Sequence, residues 1–217
     1  MVRFVRLLSV LALGAATLLG LPSLGAADTG TKRCTGTLAP GTYGMVVVPA
    51  NPACYSNRPV TITGGLYVRH GGTFVLGDEG HPGNNGTISD GVHATNARSV
   101  QIHFTRINGG IEVLGGSGPV GGPFGITWTT IEDSHVNGGV TIAGYDGFWL
   151  GFIRNTVNGT VTMRNNLLAD PDGNEYVTNT IHGSFQCSGN SPKPQVGDSE
   201  GSLNHVTGAK TGQCAHL

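Results

Sequence analysis

Charge is scarce in this chain. Only 12% of the residues are Asp, Glu, Lys or Arg, and the formal net charge is −1. No cluster of Lys and Arg is dense enough to hold a phosphate backbone, so nucleic acid is excluded as a partner. Aromatic residues are also few, at 6%, and after the first residues no long apolar run and no 3.6-residue periodicity appears. Helical bundles and helical solenoids are therefore excluded. There are only four cysteines, none in a Cys-x-x-Cys pair. A thiolate metal site is accordingly unsupported.

The chain does have 37 glycines and many Thr, Asn and Ser residues, so its solvent face must be built from short polar side chains and backbone. The first 27 residues differ in kind. A basic head, "MVRFVR", precedes the apolar "LLSVLALGAATLLGLPSLG", and Gly25-Ala26-Ala27 supplies small residues for a signal peptidase. Pro22 interrupts the run before it reaches the ~20 apolar residues needed to span a bilayer. Residues 1–27 are read as a signal peptide and 28–217 as one domain, secreted or held at the cell envelope, with no stable membrane span after cleavage. Cleavage removes Arg3 and Arg6 and no acid, leaving ten basic against thirteen acidic side chains.

An exported chain meets an oxidising compartment, where cysteines pair. Three pairings are open to Cys34, Cys54, Cys187 and Cys214. The end-local pairs, Cys34–Cys54 and Cys187–Cys214, are preferred, because each separation is close to one repeat length.

The repeat is an eight-residue unit. "TITGGLYV" from Thr61, "TISDGVHA" from Thr87, "RINGGIEV" from Arg106, "HVNGGVTI" from His135, "TVNGTVTM" from Thr156, "TIHGSFQC" from Thr180 and a decayed "HVTGAKTG" from His205 recur roughly 25 residues apart. The second position is always Ile or Val, the fourth is Gly except at Asp90, and the sixth is apolar except in the last copy. Period-two alternation of β-branched residues predicts strands, and the central glycine predicts a corner needing positive φ. Ile102, Ile131 and Phe152 lie five residues before Ile107, Val136 and Val157 and predict a second strand upstream. The expected fold is all-β: a single-domain parallel β-helix of about seven to eight coils, stapled by disulfides near both ends, with "GTYGMVVV" from Gly41 as a degenerate opening coil. The third position holds Thr63, Ser89, Asn108, Asn137, Asn158, His182 and Thr207. Asn108, Asn137 and Asn158 are expected to form a hydrogen-bonded structural ladder.

"CTGTLAPGTYGMVVVPANPAC" near the start, the V-x-G-x-V-x-V units, and "FQCSGNSPKP" followed by "GQCAHL" at the end resemble a group of exported, glycine-rich, right-handed parallel β-helix-like proteins of actinobacteria. The resemblance implies architecture and export. That group has no established activity, so it implies no catalytic residues.

Many β-helices cleave polysaccharides, so the acids were considered as catalysts. Asp78-Glu79, Glu132-Asp133, Asp146 and Asp170-Asp172-Glu175 are the available clusters. Glu132, Asp133 and Asp146 are candidates for an active site if they converge in a groove with an Arg or Lys, since glycosidases need two carboxyls at roughly 5 to 10 Å. Arg154 and Arg164 are the nearest cations and read as solvated. "DPDGNE" offers Asp170, Asp172 and Glu175 as weak calcium ligands, but Gly173 and Ile181 occupy places where an EF-hand loop needs oxygen, so a polar turn is the expectation. The eight histidines are scattered, and no metal or other cofactor is expected.

The surface feature that stands out is aromatic. Trp128 and Trp149 each lie eight residues before a conserved valine, which puts them on adjacent coils ~4.8 Å apart. With Tyr145 nearby they are expected to make a flat, outward platform for a sugar ring, unless inserts cover them. The expected function is thus a non-enzymatic structural or interaction module, with an extracellular polysaccharide or cell-wall component as partner. A carbohydrate-active enzyme (polysaccharide lyase or glycoside hydrolase) is the alternative, and an ice-binding solenoid, suggested by "TIT", "TWTT" and "TVT", a minor one. Amino-terminal sequencing of the exported protein is expected to begin at Asp28; an uncut amino terminus would mean that the apolar run is an anchor.

Overall fold

The computed structural model describes residues 28–80, 82–83, 85–118, 128–197 and 201–217. The expected signal peptide, residues 1–27, and much of the insert at 114–125 lie outside the described residues. All regular structure among the described residues is β, and every strand pairing is parallel.

The strands fall on three faces that wrap almost completely around one apolar core. The first carries the front half of each repeat, from Val60–Ile62 through Gly86–Ile88, Thr105–Asn108 and His135–Asn137 to His205–Val206. The second carries the back half, from Leu66–Val68 through Ile111–Leu114 and Val140–Ala143 to Lys210–Gly212. The eight-residue strand Gly41–Val48 belongs to both, because it runs through the corner without a break and joins them into one sheet. The third face is a separate seven-stranded sheet that includes Ala53–Ser56, Thr73–Leu76, Ser99–His103, Thr129–Glu132, Leu150–Ile153 and Asn174–Val177.

Register follows the repeat. Ile62 sits on Ile88, Ile88 on Ile107, Ile107 on Val136, Val136 on Val157, Val157 on Ile181 and Ile181 on Val206. The sixth positions stack likewise from Leu66 to Phe185, and Ile102, Ile131 and Phe152 stack on the third face. Nearly all are fully buried, so identical columns of apolar side chains form the core. Only the front half of the opening unit is displaced by one residue from its sequence alignment: Tyr43, not Thr42, pairs with Ile62, whereas Val46 pairs with Leu66 as aligned.

The corner glycines have two different reasons to be glycine. Gly109 and Gly138 have φ of 90° and 153°, as the sequence suggested. At Gly159, Gly183 and Gly208 the cause is steric instead, because a Cβ at each would run into the backbone carbonyl of the glycine one turn earlier.

The other corners use the left-handed region in two columns. Asn51, Gly71, Asn96, Gly115, Gly144, Asn165, Gly189 and Gly212 leave the second face with φ between 51° and 76°, and Gly77, Phe104, Asp133, Arg154 and Thr178 leave the third with φ between 50° and 74°. Non-glycine residues tolerate this at a cost of order 1 kcal/mol each. The residue after many of these corners then turns inward, as at Tyr145, Asn155, Asn166, Asn179 and Asn190, and polar residues there form buried ladders. The Asn155 backbone N–H donates to Asn179 Oδ1 at 2.9 Å, and the Asn179 N–H donates to Asn204 Oδ1 at 3.0 Å. Their side-chain amides donate in turn to Ile131 O, Phe152 O and Tyr176 O. Asn166 and Asn190 repeat the arrangement at the other corner. The expected outer ladder is also present: Asn137 Nδ2 donates to Asn108 Oδ1 at 2.7 Å, and Asn158 Nδ2 to Asn137 Oδ1 at 2.8 Å.

Both end-local disulfides are formed, Cys34–Cys54 and Cys187–Cys214, with Cα separations of 5.5 and 5.1 Å. Because Asn179 is 1% exposed and bonds groups on both neighbouring turns, Asn179→Ala is expected to lower unfolding free energy by about 2 to 3 kcal/mol, whereas Asn158→Ala on the outside should cost under ~1 kcal/mol. Denaturant titration of both variants checks the contrast, and equal costs would contradict it.

Candidate functional site

The third face is unusual in being buried on both sides. Every residue of Thr73–Leu76, Ser99–His103, Thr129–Glu132, Leu150–Ile153 and Asn174–Val177 is buried. Leu76, Ile102, Ile131, Phe152 and Tyr176 face the core, so by strand alternation their neighbours face out. Register puts His103 beside Glu132 and Glu132 beside Ile153 in one outward column, and Gln101, Thr130, Gly151 and Glu175 in the next. The outer layer is therefore largely polar.

A cleft of about 500 Å³ opens over these columns, lined by Glu79, His103, Trp128, Glu132, Phe148, Trp149 and Asp170 among others. A second hollow of about 380 Å³ adjoins it, sharing Asp78, Gln101 and Trp128 and continuing to Tyr55 and Val75. Together they cross five successive strands, which at ~4.8 Å per strand makes a groove on the order of 19 Å long.

Trp128 and Trp149 occupy adjacent turns as expected, with Trp128 36% exposed and Trp149 half-buried. They are not a flat platform. The rings meet edge to face, 6.3 Å between centroids and 83° between planes, because the Trp149 ring lies back along its own strand over Gly151, where any Cβ would strike it. Edge-to-face is a favoured packing of two aromatic quadrupoles. The pair forms a corner of the groove.

Electrostatics concentrate at the other end of the cleft. Asp133 and Arg154 are successive residues of one left-handed corner column, so their side chains emerge side by side. Arg154 Nε donates to Asp133 Oδ1 at 2.8 Å and Nη2 donates to Asp133 Oδ2 at 2.7 Å. The same Nη2 lies 3.3 Å from both Glu132 Oε2 and Glu79 Oε1. The Thr130 hydroxyl donates to Glu132 Oε1. Glu132 is 2% exposed, and burial, followed by its hydrogen bond with Glu79, pushes its carboxyl up to about 8. Glu79, on the exposed side, is held below the usual range by its hydrogen bond from Glu132 and by Arg154. Like charges this close do not both ionise, so Glu132 keeps the proton and Glu79 the charge. His103 is pulled below its ordinary value by burial; its Nδ1 lies 3.8 Å from Glu132 Oε2 and has no hydrogen-bond partner.

The expected site residues are thus divided. Glu132 and Asp133 converge on Arg154, which is engaged with three acids and is not merely solvated. Asp146 is elsewhere, exposed on a short strand paired with Leu167–Leu168. Tyr145 is not a ligand-facing residue: Gly144, at φ 71°, turns the chain so that the next ring points into the core, where its hydroxyl donates to Arg98 O at 2.9 Å. Asp170 lines the cleft, Asp172 is exposed with its N–H donating to Asp170 Oδ1 in a polar turn, and Glu175 is buried on Asn174–Val177. These three do not come together as a metal site; among the described residues no three His, Cys, Asp or Glu side chains do. Arg164 is exposed away from the cleft.

Sequence reasoning missed His103 and Phe148 as site residues and Glu79 as the partner of Glu132. His103 was findable, since it follows Ile102 just as Glu132 follows Ile131. Glu79 reaches the cleft from a loop whose path has no sequence period. No family model matches the chain, and neither a curated protein nor a solved structure matches it.

Glu132 carries a pH signature. Its folded pKa near 8 lies above its ordinary 4.5, so its stabilising contribution is complete below 4.5 and disappears as pH rises through about 8. The depressed His103 acts in the opposite sense, with its contribution complete above 6.5. From pH 6.5 to 8, unfolding free energy is expected to fall by about 1 to 2 kcal/mol, and Glu132→Gln to flatten that slope. Urea titrations at the two pH values check this; an unchanged slope in the variant would assign the effect elsewhere.

Proposed function

We propose that this chain is an exported right-handed parallel β-helix of about eight coils, resembling the glycine-rich group described above, whose third-face groove binds an extended extracellular polysaccharide. The β-helix reading is supported by uniformly parallel pairing and by strands of one face pairing with their counterparts one turn later. Export is supported by the apolar leader and by two disulfides that suit an oxidising compartment. Among the described residues no helix is long and apolar enough to cross a membrane.

The observation that carries the binding reading is the groove itself: long, open, running along the stack, and cornered by Trp128 and Trp149. An apolar ring face with hydrogen-bonding groups around it is what a pyranose offers, and an indole face with polar neighbours complements it. The acidic lining opposes phosphate, which supports the exclusion of nucleic acid.

The enzymatic alternative has one observation in its favour, the convergence of Glu132 and Asp133 on Arg154. Against it, Glu79 and Glu132 both lie 3.3 Å from the same Arg154 Nη2 and so stand together on one cation, rather than on opposite sides of a scissile bond. The ice-binding alternative lacks an unbroken threonine column, since Arg106 and His135 interrupt the row that begins at Thr42, Thr61 and Thr87.

Trp149→Ala is expected to weaken retention on polysaccharide affinity gels at least about tenfold, or ~1.4 kcal/mol, with the far-ultraviolet spectrum unchanged, and Trp128→Ala to weaken it similarly. Equal retention of both variants and parent would remove the groove as the binding site.

A further inference from the structure

We infer that the polysaccharide bound in this groove carries free amino groups, and that one ammonium docks between Glu132, Glu79 and His103. The starting point is a missing positive charge. Glu79, Glu132 and Asp133 share the single guanidinium of Arg154, and Asp170 lines the same groove. No Lys or Arg is among the described residues lining the cleft or the adjoining hollow.

Arg154 is already committed. Its Nε and Nη2 grip the two oxygens of Asp133 at 2.8 and 2.7 Å, and only the longer 3.3 Å contacts remain for Glu79 and Glu132. Glu132 thereby shares, at 3.3 Å, a cation that Asp133 holds more closely, and a buried carboxyl so weakly compensated stays neutral by holding a proton.

His103 is the second, independent pointer. Its side chain is only 6% exposed, it lines the cleft, and its Nδ1 is the single buried side-chain nitrogen or oxygen without a hydrogen-bond partner among the described residues. Buried polar atoms are rarely left unpaired in this way. A neutral imidazole nitrogen accepts one hydrogen bond, and an ammonium donates three. One ammonium therefore satisfies His103 Nδ1, Glu132 and Glu79 together. Trp128, Trp149 and Phe148 line the same cleft and can stack on the sugar ring bearing the amine, adding cation–π attraction within reach of ~6 Å.

The charge balance has a measurable consequence. An amine entering as ammonium replaces the proton of Glu132, which leaves to solvent, so the neutral acid and the cation become a carboxylate–ammonium pair and a released proton. The groups facing Glu132 from neighbouring elements are Glu79, Asp78, His103, Asp133 and Arg154, and Glu132 is the one among them pushed toward the protonated form at neutral pH. Uronic-acid polymers lack such a cation and bring a charge of the wrong sign.

An ammonium at this position presupposes the polysaccharide groove proposed above, so the test separates the two. Isothermal titration calorimetry at pH 6 compares fully deacetylated chitohexaose, N-acetylchitohexaose, cellohexaose and hexagalacturonate in two buffers of different ionisation enthalpy. Chitohexaose is expected to bind at least tenfold more tightly than the other three, with release approaching one proton per site. Glu132→Gln removes the proton release and reduces the preference to less than threefold. Glu79→Gln, on the exposed side of the pair, halves the preference or more and guards against a folding defect in the buried variant. If cellohexaose or N-acetylchitohexaose binds as tightly as chitohexaose, or if chitohexaose binds without releasing protons, the ammonium site is wrong and the groove stands. If none of the four binds, both are wrong.

Discussion

In-register stacking of one turn of chain on the next is the constraint on which everything else depends. A parallel strand pairs its N–H and C=O groups with the strands on either side, so a turn that keeps register satisfies its backbone without help from a helix or a partner sheet. The same register places each side chain on its equivalent one turn away. Ile62, Ile88, Ile107, Val136, Val157, Ile181 and Val206 form one continuous column for this reason. Stiff β-branched side chains, whose χ1 freedom is already limited, fill this column, while Phe74, Phe152, Tyr176, Phe185 and Tyr145 fill the rest of the core.

Stacking also dictates the corners. Each turn must change direction at the same place or the next strand misses its partner. The left-handed columns at Asn51–Gly212 and Gly77–Thr178 do this, and the cost of left-handed Asp133, Arg154 and Phe104 is offset by the pairing they preserve. Many of these corners also reverse side-chain parity, sending the following residue inward, as at Asn155, Asn166, Asn179 and Asn190. Buried asparagines at these points close the backbone of successive turns, and Tyr145 enters the core by the same route.

The proposed site is a by-product of these two rules. Corner residues one turn apart emerge together, which is why Asp133 and Arg154 pair. Outward residues of the third face line up, which is why His103 stands beside Glu132. Covering that face confines Glu132 under Glu79 and keeps it neutral, at the expense of some folding stability at alkaline pH.

Alternation and repeat spacing in the amino-acid sequence determined the strand positions, the apolar columns, the outer Asn108–Asn137–Asn158 ladder and the end-local disulfides. These are local properties: period-two burial and a repeat length need only neighbours along the chain. Tertiary structure alone decided that Tyr145 turns inward, that the Trp128 and Trp149 rings meet at a right angle, that Asp146 stays apart, and that Glu79 reaches Glu132. Side-chain direction past a left-handed corner depends on φ, which residue type does not specify when Arg, Asp, Phe and Gly all serve. The path of an insert across a face depends on its length and on what it covers, and neither obeys the repeat.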